Sequence, residues 1–212
     1  RLLRLGKSLK IAGLNDMNVS LDAVEFDIFK RINRSLKLRE VLEGIDLCIS
    51  LGINIKINCT IQNTINDSQI LPVLEWGKER GLSVRFLELM KMGHIQNSHD
   101  TFYLPGNEII KRISKKYKLI ELGREKSSTS KYWQIENSIR VGIISNHSDP
   151  FCSDCDRLRM DHKGYIFGCL SSPVSFPIDG KIPLEEVLER AMSLKRKKDF
   201  TGSTLSMKKI GG

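Results

Sequence analysis

Several things are missing from this sequence, and each absence excludes something. No apolar run in its 212 residues approaches the length of a membrane span. No secretory signal opens the chain. The five cysteines are an odd number, which speaks against a secreted disulfide scaffold and for a reducing compartment with metal ligation. Aromatic residues make up 7% of the chain and do not cluster on a basic stretch, as a nucleic-acid stacking platform would require. The expectation is a soluble protein of the cytoplasm or an organelle matrix, with no membrane and no nucleic-acid partner.

What is present begins with charge. Lys and Arg number 34 against 25 Asp and Glu, a formal balance of +9. Such a surplus favours anionic partners such as nucleotides and phosphates, or simply solvates a basic surface. Hydrophobic content of 40% and charged content of 28% are ordinary for a globular chain long enough to bury a core.

The first ninety residues repeat one pattern three times. A helical stretch ends at a glycine, an apolar residue follows, and a strand begins: Gly13-Leu14 before Met17–Asp22, Gly52-Ile53 before Asn54–Ile61, Gly81-Leu82 before Ser83–Leu89. Glycine just past a helix supplies the left-handed cap that turns the chain back. Val41, Leu42, Ile45 and Ile49 have helical spacing, as do Ile70, Leu71, Val73 and Leu74; Asn66-Asp67 reads as the capping region of the second helix. Alternation of this kind predicts a parallel α/β sheet or barrel.

The strands themselves alternate. Asn18 and Ser20 interleave with Val19 and Leu21; Lys56, Asn58 and Thr60 interleave with Ile55, Ile57 and Cys59. A parallel strand in an open sheet is normally apolar on both faces, so a polar face suits either a barrel bore holding a charged ligand or an exposed sheet. Lys56 and Arg85 both stand four residues after a unit's glycine, where they could converge on one ligand or face solvent. Cys48 and Cys59 read as core positions. Three units are fewer than a barrel needs, so the chain is expected to begin inside a domain whose N-terminal half lies elsewhere.

Beyond residue 93 the character changes. Residues 93–106 read as a polar loop, 107–117 as a short amphipathic helix, and 118–122, 131–136 and 139–145 as short strands. Residues 183–195 read as a helix with Pro183 at its start and Glu185 and Glu186 in its first turn, followed by a basic tail.

The sharpest signal is Cys152-x2-Cys155-x13-Cys169. Two-residue spacing is a common way to present two sulfurs to one centre, and a turn at Lys163-Gly164 can fold Cys169 back onto the pair. Three cysteines with His147 or His162 could close around structural zinc; three cysteines alone could hold a four-iron cluster with one iron open. A disulfide with a spare thiol is the third reading. Directly after Cys155 come Arg157 and Arg159, which in an extended segment point to one side and form a fork for a phosphate or a purine edge, or else a charged surface strand. Gly211-Gly212 gives a tail without side-chain bulk, either frayed or a thin probe into a pocket.

Taken in order, Asn18-Val-Ser-Leu-Asp22, Lys56-Ile-Asn58, Arg85-Phe-Leu-Glu-Leu-Met-Lys-Met-Gly93, Phe151-Cys-Ser-Asp-Cys-Asp-Arg-Leu-Arg159, Gly168-Cys-Leu170 and Ile210-Gly-Gly212 make a pattern that resembles the GTP 3′,8-cyclases, radical S-adenosylmethionine (SAM) enzymes of molybdenum cofactor biosynthesis. The resemblance implies an α/β fold: the C-terminal part of an incomplete (βα)6 barrel, then a C-terminal iron–sulfur region with short antiparallel strands. On that division, residues 1–93 are the second half of the barrel and 94–212 the auxiliary-cluster region with its Gly-Gly tail. It implies two 4Fe–4S clusters. The N-terminal one cleaves S-adenosylmethionine to a 5′-deoxyadenosyl radical that takes hydrogen from the ribose C3′ of GTP, after which C3′ bonds to C8 of guanine. The C-terminal one has three cysteine ligands and an open iron that holds the guanine.

Carried onto this sequence, the resemblance makes Cys152, Cys155 and Cys169 the ligands of the C-terminal cluster. It puts Lys56, Arg157 and Arg159 on GTP, Arg85 in the same bore, and Ser20 and Met90 on S-adenosylmethionine. Gly211 and Gly212 would join Arg157 and Arg159 in the active site. The Cys-x3-Cys-x2-Cys motif of the first cluster does not occur in the sequence, so this chain alone is expected not to turn over. Two other readings stand beside this one: the auxiliary-cluster part of another radical SAM maturase, and a zinc-bearing binding module. An unpaired barrel edge invites association, so a homodimer is a further expectation.

Overall fold

The helix–glycine–strand pattern is realised in the computed structural model, which describes residues 1–136, 138–195 and 199–211. Helix α1 (Leu2–Ile11) leads through Gly13 into β1 (Asp16–Ser20). Helices α2 (Phe26–Asn33) and α3 (Leu38–Ser50) lead through Gly52 into β2 (Asn54–Ile61), and α4 (Ile70–Glu79) leads through Gly81 into β3 (Ser83–Glu88). The three glycines have φ of +94°, +69° and +67°, a region closed to most side chains by the Cβ. The three strands pair in parallel, with Asn18 opposite Lys56 and Asn58 opposite Arg85.

Downstream come α5 (His99–Phe102), α6 (Gly106–Ser114), β4 (Leu119–Gly123), β5 (Lys131–Ile135) and β6 (Arg140–Ile144). Residues 93–106 are therefore not a plain loop: a 3-10 turn at Gly93–Ile95 and α5 occupy part of them, and the His99 ring is buried there against the Leu89 carbonyl. Strand β6 also departs from expectation. It returns to the first sheet and pairs parallel to β3, with β5 and β4 following antiparallel in the order β1-β2-β3-β6-β5-β4. Its run Val141-Gly-Ile143 is buried, as a strand covered by helices requires. One mixed sheet thus takes strands from both sides of residue 93.

One face of that sheet carries the core. Ile57, Cys59, Ile61, Val84 and Phe86 are fully buried, and α3, α4 and α6 pack on them. Each such side chain contributes about 1.5–3 kcal/mol through its removal from water. Cys48 and Cys59 are both in this core, as read from the sequence. Asn66 is a correction. Its side chain is buried and caps no helix; it donates to the Asp22 and Thr60 carbonyls at 2.9 Å and accepts from Gln62 N, tying the ends of β1 and β2 together.

The opposite face is polar. Asn18, Ser20 and Lys56 are exposed, and Asn58 and Arg85 half-buried. Arg85 reaches across it, donating to Asn58 Oδ1 at 2.8 Å and to Asn18 Oδ1 at 2.6 Å, so one guanidinium spans three strands. A smaller antiparallel sheet, β7 (Arg159–Met160), β8 (Tyr165–Phe167) and β9 (Ser175–Pro177), packs against α7 (Leu184–Ser193) through Ile166, Val187 and Ala191. Among the described residues, no helix is long and apolar enough to cross a membrane.

Candidate metal centre

Ligands of parallel α/β sheets gather at the carboxyl ends of the strands, and the cysteines gather there too. Glu88 closes β3 with its side chain in a slot that the strand's alternation reserves for an apolar group. Its carboxylate is 1% exposed. It accepts from Gly106 N at 2.7 Å, His147 N at 2.9 Å, Ser148 N at 3.2 Å and the Ser148 hydroxyl. It therefore joins the end of β3, the first turn of α6 and the loop after β6. Burial, and then the Glu88 charge, push the neighbouring Tyr103 phenol up to about 12.

That loop delivers Cys152–Asp154, a single 3-10 turn. Of the two residues between the first two cysteines, Asp154 fixes the turn: its Oδ2 accepts from Ser127 N at 2.9 Å and from Arg124 at 3.0 Å, while the Ser127 hydroxyl donates to the Asp154 carbonyl at 3.1 Å. The Ser127 amide, and after it Arg124, hold the Asp154 carboxyl below its usual range. The β4–β5 connection is thus clamped to the cysteine turn. Arg157 completes the clamp, donating to the Ser127 carbonyl with its guanidinium 5.1 Å from the Phe151 ring centre.

Cys169 stands two residues past β8 of the second sheet. Gly168 lets it in, because a Cβ there would collide with the Ala191 carbonyl at the end of α7. The tail then closes over the pair of elements. Gly202 and Ser203 lie against Lys91, Met92 bridges Ser203, and Ile210 is fully buried with Met92, Phe167 and Phe200.

The result is a cavity of about 410 Å³. Cys152, Cys155 and Cys169 line it together with Arg157, Arg159 and Lys195; Phe151, Phe167, Leu170 and Phe200 supply apolar wall. No carboxylate is among the described lining residues. Burial, then the nearness of Cys169 and Cys155, raise the Cys152 thiol. Burial, then the charge of Arg157, lower the Arg159 guanidinium. Adjacent cations with no acid between them call for an electron-rich ligand.

Three thiols are a soft donor set, suited to zinc or to iron–sulfur chemistry. Among the described residues, no three His, Cys, Asp or Glu side chains converge closely enough to hold a single ion. Thiolates on a four-iron cluster each take a different iron, whereas those on one zinc share a single ion, and the three thiols here share one cavity wall. His147 does not line the cavity; its ring packs among His99, Tyr103 and Phe200, and burial lowers its pKa. His162 is exposed beside the β7–β8 turn.

Of the residues singled out in the sequence, the cavity brings together Cys152, Cys155, Cys169, Arg157, Arg159, Met90 and Gly211. Ser20, Lys56 and Arg85 lie elsewhere, on the open polar face of the sheet. Gly212 lies outside the described residues. Gly211 has φ +74°, its carbonyl accepts from Arg159 at 3.4 Å, and a Cβ would strike the Met160 carbonyl. Gly211→Ala is expected to lift this end of the tail at a cost of about 1–3 kcal/mol. Faster amide exchange over residues 200–211, with an unchanged sheet, is the reading; unchanged exchange in the tail would contradict it.

Sequence reasoning missed Asp154, Lys195 and Glu88. Asp154 could have been found by its place inside the Cys-x2-Cys turn, and Glu88 by its break in the apolar alternation of Val84 and Phe86. Lys195 carries no local signal beyond standing at the head of a basic run.

The sequence model of Molybdenum Cofactor Synthesis C matches residues 82–201 of this chain. A GTP 3′,8-cyclase of Helicobacter pylori is 36% identical over 172 residues, 80% of this chain and 52% of its own length. Enzymes of the same name from Nautilia profundicola and Aliarcobacter butzleri are each 33% identical, over 84% and 92% of this chain and 55% and 60% of their own lengths. The chain spans about half the length of the curated relatives it matches.

Proposed function

The chain belongs to the Molybdenum Cofactor Synthesis C family, and on that premise we propose that it is the cluster-bearing part of a GTP 3′,8-cyclase acting in molybdenum cofactor biosynthesis. The observation that carries the reading is one cavity lined by Cys152, Cys155, Cys169, Arg157, Arg159 and Gly211. The three cysteines hold a 4Fe–4S cluster. When bound, that cluster supplies an open iron as a Lewis-acid seat for a nitrogen or oxygen of the guanine ring.

The chain's own residues do the rest. Arg157 and Arg159 bring charge to the nucleotide, and the apolar wall of Phe151, Phe167, Leu170 and Phe200 keeps water from the reacting face. Gly211 borders the same space. Residues 1–93 are the second half of a (βα)6 radical SAM barrel, to which β6 adds a further parallel strand, and the rest of residues 94–212 is the auxiliary-cluster region. The polar sheet face is the bore, where Lys56 and Arg85 meet the GTP phosphates. Its polarity supports this, because a covered parallel sheet would be apolar there. Ser20 and Met90, both at or just past carboxyl ends of parallel strands, contact S-adenosylmethionine. The protein works in the cytoplasm or an organelle matrix, as a homodimer. This chain by itself releases no 5′-deoxyadenosine.

Anaerobic reconstitution with iron and sulfide tests the assignment. About four irons and four sulfides per chain are expected, with GTP retained in equilibrium dialysis. Arg159→Ala is expected to weaken that retention tenfold or more, a charge-assisted hydrogen bond contributing about 1.5–3 kcal/mol. One zinc per chain without sulfide would sink the cluster reading; GTP binding indifferent to Arg159 would sink the substrate reading.

A further inference from the structure

The three cysteine sulfurs are not electrically alike. Cys155 Sγ receives two cationic donors: Arg157 Nη2 at 3.4 Å and Lys195 Nζ at 3.4 Å. Among the described residues, Cys169 receives only a neutral backbone N–H, from Ser171 at 3.5 Å. Among the described residues, Cys152 receives no hydrogen bond at its sulfur. The second cation on Cys155 is the unexpected one. Lys195 stands two residues beyond the last residue of α7, where a four-carbon stem could carry its ammonium into water at no loss of freedom. Instead the side chain lies in the cavity wall, where it also donates to the Arg157 carbonyl. Three cations then share a wall that holds no described carboxylate. Asp199 acts on Cys152 without lining that wall, and the crowding of cations within the wall favours a negative centre.

We infer that Lys195 is a positioning residue that sets the electron affinity of the metal centre through Cys155. This rests on the cluster reading above. A hydrogen bond and a positive charge at a ligand sulfur draw electron density from it and favour the reduced, more negative state of a thiolate-bound cluster. The couple takes up one electron and no bond to Cys155 breaks. By the same contact Lys195 ties the end of α7 to the backbone that carries Arg157, so the charge stays beside Cys155 whether or not a nucleotide is present.

The test uses the reconstituted chain and its Lys195→Met and Lys195→Arg variants. Iron and sulfide are counted first. The cluster midpoint is then read by spin-resonance titration, with dithionite as the electron source. Lys195→Met is expected to make reduction about tenfold less favourable, which for one electron is a midpoint about 59 mV more negative. Lys195→Arg is expected to stay within about threefold of the unsubstituted chain, because it keeps the charge and the donors. A common midpoint for all three chains overturns the role of Lys195 and leaves the cluster standing. So does a Lys195→Arg midpoint displaced as far as that of Lys195→Met. If Lys195→Met fails to hold iron while Lys195→Arg holds it, the cationic contact is supported; loss in both makes the side chain mere packing and overturns the inference. No iron in the unsubstituted chain defeats the cluster reading and this inference together.

Discussion

Cys155→Ala is expected to abolish cluster retention, taking the reconstituted chain from about four irons to near none. The reason is arithmetic as well as chemistry. Three thiols line the cavity, no histidine lines it, and no carboxylate is among its described lining residues, so a lost sulfur has no substitute there. Cys155 is also an acceptor, since Arg157 and Lys195 both donate to its sulfur. Its removal takes from both cations their shared sulfur acceptor and leaves them the Ser127 and Arg157 carbonyls. Cys48→Ala and Cys59→Ala are the controls. Both sulfurs are buried in the α/β core, so these changes are expected to lower stability and leave iron content intact. Iron retained near the full amount by Cys155→Ala would remove that residue from the ligand set.

Glu88→Ala is expected to be the most destabilising single change, at roughly 3–5 kcal/mol. Four donors converge on this carboxylate from two separate segments, and three of them are backbone amides that cannot turn away. With the acceptor gone they remain under cover with nothing to bond. The cost is the desolvation of those amides rather than the worth of any one contact. Glu88→Gln keeps two acceptor lone pairs but presents an NH2 to N–H donors, and is expected to lose less than Glu88→Ala while remaining clearly destabilised. Urea unfolding followed by circular dichroism measures both. A Glu88→Ala midpoint that implies less than about 1 kcal/mol would show that water reaches the slot.

How much of this was legible in the sequence depends on how local the cause is. The strands of the first three units were readable because alternation and a preceding glycine are written within a few residues: β2 spans Asn54–Ile61, as the alternation marks it. The cysteine centre was readable because Cys152 and Cys155 announce themselves by spacing. Strand β6 was seen as a strand but not as a fourth parallel member of the sheet, since nothing in Val141–Ile144 says which neighbour it will choose. Asn66 looked like a helix cap because it precedes one; its bonds go instead to Asp22 and Thr60, which only the folded sheet brings close. Lys195 is the extreme case. Its partner Cys155 is 40 residues away in the chain, and a lysine after a helix reads as solvated charge. Lys56 and Arg85 share one face of the sheet, as their equivalent positions suggest, and neither is among the described residues lining the cysteine cavity.

The bridge between Met92 and Ser203 has a bearing on timing. It closes a very long loop, whereas β1, β2 and β3 pair with near neighbours in the chain. Contacts of long sequence separation form late, because the entropy of closing the loop must be met before they return anything. The tail therefore settles on the cavity only after the α/β sheet exists. Until then the three thiols stand on an open rim, within reach of oxidants and of whatever metal arrives first. For the proposed cluster, loading iron is then a question of order: the centre is best filled while the tail is loose, in an oxygen-free setting, and shut in when the last residues dock.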